Sequence, residues 1–176
     1  PATTTVEKNA RPTHAEPTKA PTIDTTYTFA GWTEVGGGGT VCATADLPAV
    51  TADIAYKAVF TSATRQYTVT FANWDGSVVS AIAYDYQTPA ASVAVPAENP
   101  TRPADAEYTY AFLSWSPAAV ADVTADATYT AQYSATANEY TATFVSGIDE
   151  SEISHATFAY GAAVVAPEPP EVVGHR

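Results

Sequence analysis

Tyr67, Val69 and Phe71 alternate with Thr68 and Thr70, so apolar side chains share one face and hydroxyls the other, the two-residue period of a half-buried strand. Asn73-Trp74-Asp75-Gly76 follows, and its Asp-Gly pair supplies the positive φ angles of a tight hairpin turn. A return strand then places Val78, Ile82, Tyr84 and Tyr86 on its inward face. Thr88-Pro89 predicts a cap and one short helical turn through Val93. Pro96, Pro100 and Pro103 each lack a ladder N–H and keep the next stretch extended. A third strand carries Tyr110 and Phe112 on one face, but Trp115 comes three residues after Phe112. That odd step predicts a bulge or a strand end between them. A last strand alternates Tyr129, Ala131 and Tyr133.

The same pattern recurs. Val50-Thr-Ala-Asp-Ile-Ala-Tyr-Lys-Ala-Val-Phe60 returns 73 residues later as Val123-Thr-Ala-Asp-Ala-Thr-Tyr-Thr-Ala-Gln-Tyr133, and Tyr67–Phe71 returns as Tyr140–Phe144 at the same offset. Upstream, Thr26-Tyr-Thr-Phe-Ala-Gly-Trp32 matches Thr109-Tyr-Ala-Phe-Leu-Ser-Trp115 at an offset of 83, as Pro17-Thr-Lys19 matches Pro100-Thr-Arg102. The ten extra residues lie between Trp32 and Val50, where the first copy carries Gly36 to Gly39. Phe158 and Tyr160 align with Tyr84 and Tyr86. Self-similarity at a fixed period is the mark of a modular chain. Residues 67–139 read as one complete repeat. Residues 1–66 read as a partial repeat that lacks its opening hairpin, and 140–176 as the opening hairpin of a third.

Composition fits strands and excludes several functions. There are 36 Ala, 27 Thr and 11 Tyr but only two Leu (Leu47, Leu113) and no Met, which disfavours a helical bundle. Seven Lys and Arg against 19 acids give a net charge of −12, so nucleic acid and anionic lipid are not expected partners. No apolar run approaches the roughly 20 residues that span a bilayer as a helix, so no membrane insertion of this chain is expected. A start at Pro1 rather than Met predicts a processed chain or an excised fragment.

The order Tyr67-Thr-Val-Thr-Phe71, Trp74-Asp-Gly76, Pro96-x-x-x-Pro100-Thr-Arg102, Tyr110-x-Phe112-x-x-Trp115, Val123-Thr-Ala-Asp126 and Tyr129-Thr-Ala-Gln-Tyr133 resembles the Listeria–Bacteroides repeat, a group related to the B-type repeat of internalins. The resemblance covers all of 67–139 and most of the remainder in pieces. The Gly31-Trp32 pair fits the family's Gly-Trp, whereas the second copy has Ser114 before Trp115. The resemblance implies tandem small β-grasp-like modules, each of two strands, a crossover with a short helical turn, and two more strands. It also implies an extracellular place on the bacterial cell surface, in stalks or adhesins. It brings no catalytic residues.

Candidate chemistry is sparse. His14, His155 and His175 stand apart from one another and from any His-Glu-x-x-His setting. His155 lies near Asp149, Glu150 and Glu152, where a solvated acidic turn is the simpler reading than a cation site. Gly36–Gly39 has no following Gly-Lys-Ser/Thr and reads as a flexible insertion, and Cys42 within it lacks an activating partner. Lys57 on an outward strand position is a cross-linking candidate, but its counterpart is Thr130, so the repeat requires no such bond. Trp74 at the hairpin turn is the one candidate ligand contact, weighed against a role in its own turn. No catalytic, cofactor or metal residues are assigned, and the chain is not expected to be an enzyme.

Two functions follow. The first is a non-catalytic surface module that spaces other domains, with Thr68, Thr70, Thr141 and Thr143 keeping an outward face polar. The second is a host glycan- or protein-binding adhesin that uses Trp74. The complementary chain ends add a third expectation, strand addition between neighbouring subunits or repeats.

Overall fold

The computed structural model of the chain describes residues 4–168. The fold is mainly β, with eight strands and, among the described residues, two three-residue 3-10 turns (Thr44–Asp46 and Ala90–Ser92) as its helical pieces. The strands are β1 (Thr25–Glu34), β2 (Tyr56–Thr64), β3 (Gln66–Ala72), β4 (Val78–Asp85), β5 (Tyr108–Ser116), β6 (Ala127–Ala137), β7 (Glu139–Val145) and β8 (Glu152–Ala159). They form a β1-β2 sheet, a four-stranded sheet in the order β4-β3-β6-β5, and a β7-β8 sheet.

Contacts divide the chain into two compact units. The first takes the chain up to Val69 with Ile82–Val93 and Ala121–Ala127. Here β1 and β2 pair antiparallel, and the register shifts between Phe29 and Gly31, as the Phe-to-Trp spacing predicts. The bulge lets Phe29 and Trp32 meet edge to face at 5.4 Å, with Phe60 against Phe29 at 5.8 Å. The Gly-rich insertion folds back on this hairpin: Gly36 and Gly39 take positive φ, and Cys42 exchanges two backbone hydrogen bonds with Trp32 (2.8 and 2.9 Å). Gly31, at φ +142°, lies so close beneath that segment that a Cβ there would stand 2.5 Å from the Cys42 carbonyl oxygen. Leu47, Tyr67, Val69, Val93 and Val123 are the buried apolar residues of this unit.

The second unit holds Thr70–Ala81, Ala94–Val120 and the chain from Thr128 onward. β5 and β6 pair antiparallel, with a shift between Phe112 and Ser114 that repeats the first bulge. Phe71, only 1% exposed, is central: it meets Trp115 edge to face at 4.9 Å and stacks on Tyr129 at 5.1 Å. Tyr129 and Ala131 are buried beside it in the core. β7 and β8 form a separate hairpin. Its turn repeats that of β3 and β4: Asp149 Oδ1 accepts from Ser151 N–H and Oγ, as Asp75 Oδ1 does from Ser77, and Glu150 at φ +57° stands where Gly76 takes φ +83°.

Two expectations need correction. Val78 and Ile82 are not covered: β4 is an edge strand, and they are 63% and 40% exposed, although alternation puts them on the face of Tyr84, which like Tyr86 is half-buried. Thr88 does not cap the helical turn, because its Oγ1 donates back to the Asp85 carbonyl; Asp122 Oδ1 accepts the Ala90 N–H instead. A distant carboxylate does the work assigned to the adjacent hydroxyl.

Local hydrogen bonding repeats with the sequence. One residue, Arg65, joins β2 to β3, and one residue, Asn138, joins β6 to β7. Arg65 N–H donates to Asp24 O while its own carbonyl accepts from Tyr86 N–H, and Tyr67 Oη donates to Ile23 O, all at 2.8 Å. At the second joint, Asn138 N–H donates to Glu107 O, its carbonyl accepts from Tyr160 N–H, and Tyr140 Oη donates to Ala106 O. The side chain joins in each time, Arg65 Nη1 reaching Thr22 O and Asn138 Nδ2 reaching Asp105 O.

A further repetition was invisible in sequence. The Gln87 N–H donates to Val123 O and the Val123 N–H to Thr88 O. Near the N-terminus, Asn9 N–H donates to Val50 O and Val50 N–H to Ala10 O. Asn9 and Gln87 take nearly equal φ angles, +67° and +65°, and Gly161 follows at +74° in the corresponding turn after β8.

Candidate functional site

The β3–β4 turn places Trp74 at the surface, 46% exposed. Asn73 fixes the turn from within: its Oδ1 accepts from Trp74 N–H (2.9 Å) and Tyr133 Oη (2.7 Å), and its Nδ2 donates to Thr101 O (3.0 Å). Burial pushes the Tyr133 phenol up, with the nearby Asp75 carboxylate adding to the effect against an opposing Arg102. Hydrogen bonds from Ser77 hold the Asp75 carboxyl below its ordinary value.

The bond from Asn73 to Thr101 sets Arg102 beside the indole. Its guanidinium carbon lies 4.6 Å from the Trp74 ring centroid and 3.6 Å from that of Tyr110. Tyr110 Oη in turn donates to Asp105 Oδ2 (2.7 Å), and Asp105 Oδ1 accepts the backbone N–H groups of Glu107 and Tyr108. These hydrogen bonds hold the Asp105 carboxyl below its usual value, Tyr110 first among them, and the same bond raises the Tyr110 phenol. Lys19 over Tyr27 (3.5 Å) repeats the cation-on-tyrosine contact 83 residues earlier. Arg102 and Asp105 are the residues that sequence reasoning missed: Pro100-Thr-Arg102 marked the position, but nothing in the spacing told which ring it would reach.

Trp74 is therefore engaged by its own chain through a cation–π contact, worth about 0.5–1 kcal/mol at an exposed site. Such an arrangement orients the indole. The Asp75 and Asp105 carboxylates are both taken up by local donors.

The other candidates stay dispersed. His14 lies edge-on to Trp32 at 5.5 Å, with Nδ1 2.7 Å from the Ala15 carbonyl. His155 Nδ1 pairs with Glu152 at 2.6 Å, while Asp149 serves its turn; His175 lies outside the described residues. Among the described residues no group of three or more His, Cys, Asp or Glu is placed to hold a metal ion. Cys42 is a half-buried free thiol. Burial, then the Glu34 and Cys42 charges, raise the nearby Tyr56 phenol, whose hydroxyl is buried without a hydrogen-bond partner. Lys57 is exposed opposite Thr33. The open depression between Thr26, Ala63, Thr64, Gln66 and Asp85 holds one ionisable group, Asp85, which already accepts from the Gln66 amide. Among the described residues no helix is long and apolar enough to cross a membrane. Comparison of the chain with protein-family models, curated proteins and solved structures gave no significant match.

Proposed function

We propose that this chain is a stretch of a non-catalytic bacterial cell-surface protein, built from tandem β-grasp-like modules of the Listeria–Bacteroides kind, and that it acts as a stalk or spacer. The observation that carries the reading is the joint. Both module junctions consist of one residue, and each is fixed by the same four hydrogen bonds from equivalent positions. A chain selected only to string independent domains together uses long polar linkers with few contacts across them. Repeated, bonded joints instead give the nearest-neighbour stiffness on which an extended array depends. The polar Thr side chains at 68, 141 and 143 are exposed, which supports solubility of such an array. The adhesin alternative relies on Trp74, whose indole is already engaged by Arg102.

Spin labels at Thr130 in β6 and Thr157 in β8, in a Cys42→Ser background, test this reading through the width of the distance distribution between them. A narrow distribution is expected, broadening when Tyr140→Phe and Asn138→Gly together remove the side-chain bonds of the joint. A wild-type distribution as broad as that of a flexible Gly/Ser linker removes the basis for a spacer.

A further inference from the structure

The complete repeat carries an edge strand that nothing guards. β4 stands at one end of the order β4-β3-β6-β5, so alternate N–H and C=O groups of its backbone turn away from β3. Three other edges show how this chain manages such groups. The outer edge of β1 is closed at Trp32 by the Gly-rich insertion, through the two bonds to Cys42 that Gly31 makes room for. β5, at the far end of the same sheet, is broken by its bulge. β8, the counterpart of β4, carries Glu152 and His155 within the strand. β4 has neither cover among the described residues nor charge along its length: residues 78–84 contain no Asp, Glu, Lys, Arg, Pro or Gly. Val78, Val79 and Ile82 are exposed there, as are Ala81 and Ala83. An uncharged, apolar edge of this kind is a template for another strand.

We propose that β4 pairs with β4 of a second copy of this chain, antiparallel about a two-fold axis at Ala81. Charge selects both the occupant and the direction. Two chains of net −12 repel, and this edge lets them meet without bringing charges together. Asp85, the one charged residue of β4, falls opposite Ser77 in the antiparallel pair. The two carboxylates then lie about 26 Å apart along the strands, at about 3.3 Å per residue, whereas parallel pairing in register sets them side by side at about 4.8 Å. A two-fold axis that reverses a strand stands perpendicular to the sheet, so like faces stay together. Val78 therefore meets Tyr84, Ser80 meets Ile82, Val79 meets Ala83, and Ala81 meets itself. The pairing covers Val78 and Ile82, the two exposed apolar side chains on the Tyr84 face. Because the same strand serves on both sides, the contact is isologous and closes at two copies. One strand pair is a small interface, so half-assembly is expected in the upper micromolar range. The proposal goes beyond the spacer reading and does not depend on it, since it needs only the sheet of one complete repeat.

Sedimentation velocity of the full chain from about 1 to about 300 μM tests this. The wild-type mass is expected to rise from 18.4 kDa toward twice that value and no further. Ala81→Lys and Ala81→Glu, each at an exposed position, set like charges against each other on the axis. Each variant alone is expected to stay at 18.4 kDa, with its folding checked by a melting curve at about 1 μM that matches wild type. Mixed in equal amounts, the two are expected to recover the dimer, because opposite charges then face each other. Hydrogen exchange on the wild-type chain is expected to slow at β4 amides as concentration rises, and not at those of β5. A mass constant at 18.4 kDa overturns the proposal in either of two ways. Slow exchange at β4 at every concentration means that another part of the same chain holds the edge, and fast exchange throughout means that the edge is left to a different protein. A mass that climbs past two copies, single variants that dimerise like wild type, or a mixture of the two that stays monomeric overturns it as well. None of these outcomes bears on the joint's distance distribution, on which the spacer reading stands or falls.

Discussion

At the scale of single residues, Asp105 shows how an exposed acid organises a strand entry. It accepts from two backbone N–H groups and from Tyr110, whose ring carries Arg102 on its face. These donors favour the ionised form, so the folded pKa lies below that of the unfolded chain, about 3.9. The sign follows from linkage: the stabilisation is fully present above the unfolded value and is lost as pH falls through the depressed folded one. Thermal melts are expected to show Asp105→Asn less stable than wild type at about pH 7, with the difference vanishing at about pH 2. A difference unchanged in acid assigns the effect to shape rather than charge. Gly31 teaches a different lesson. Ser114 occupies the same bulge position without a positive φ, so the bulge itself does not demand glycine; the approach of Cys42 does.

At the scale of elements, two nearly identical strands experience different surroundings. β3 and β7 share the Tyr-Thr-x-Thr-Phe pattern, yet β3 lies inside a four-stranded sheet and β7 in a lone hairpin. Phe71→Ala is therefore expected to cost about 3–5 kcal/mol, the usual range for a fully buried ring. Phe144→Ala, in dilute chain, is expected to cost less than about 2 kcal/mol because much of its ring area already meets water. Chemical denaturation at low protein concentration reads both, and equal losses would mean that the β7 face is covered in the single chain. The contrast also marks what the sequence could tell. Period-two alternation identified β3, and the Phe-to-Trp step located both bulges, because each is a local consequence of side-chain direction. The exposure of Val78 and Ile82 depends on β4 lying at a sheet edge, which no local pattern encodes. The Thr88 cap failed for a similar reason: Asp122, 32 residues from Ala90 in sequence, reaches the turn first. The Trp74 site was half legible: Asp75-Gly76 located the turn, though only Gly76 of the pair takes a positive φ, and the stacking partner Arg102 shows only in three dimensions.

At the scale of the whole molecule, net charge bears on stability. The chain carries a formal −12, and the repulsion among its acids acts over the Debye length, about 30 Å at 0.01 M salt and about 8 Å at 0.15 M. The bond from Thr68 N–H to the Asp126 carboxylate is a contact interaction at 2.7 Å, so moderate salt screens it far less. The two terms separate by range, and raising salt from about 10 to about 150 mM should remove more repulsion than attraction. The melting temperature of the full chain is therefore expected to rise over that interval, read by thermal denaturation. The opposite trend, a fall throughout, would mean that attractive pairs between the seven Lys and Arg and the 19 acids dominate. Stability would then be set by how charge is distributed along the chain, rather than by its net value.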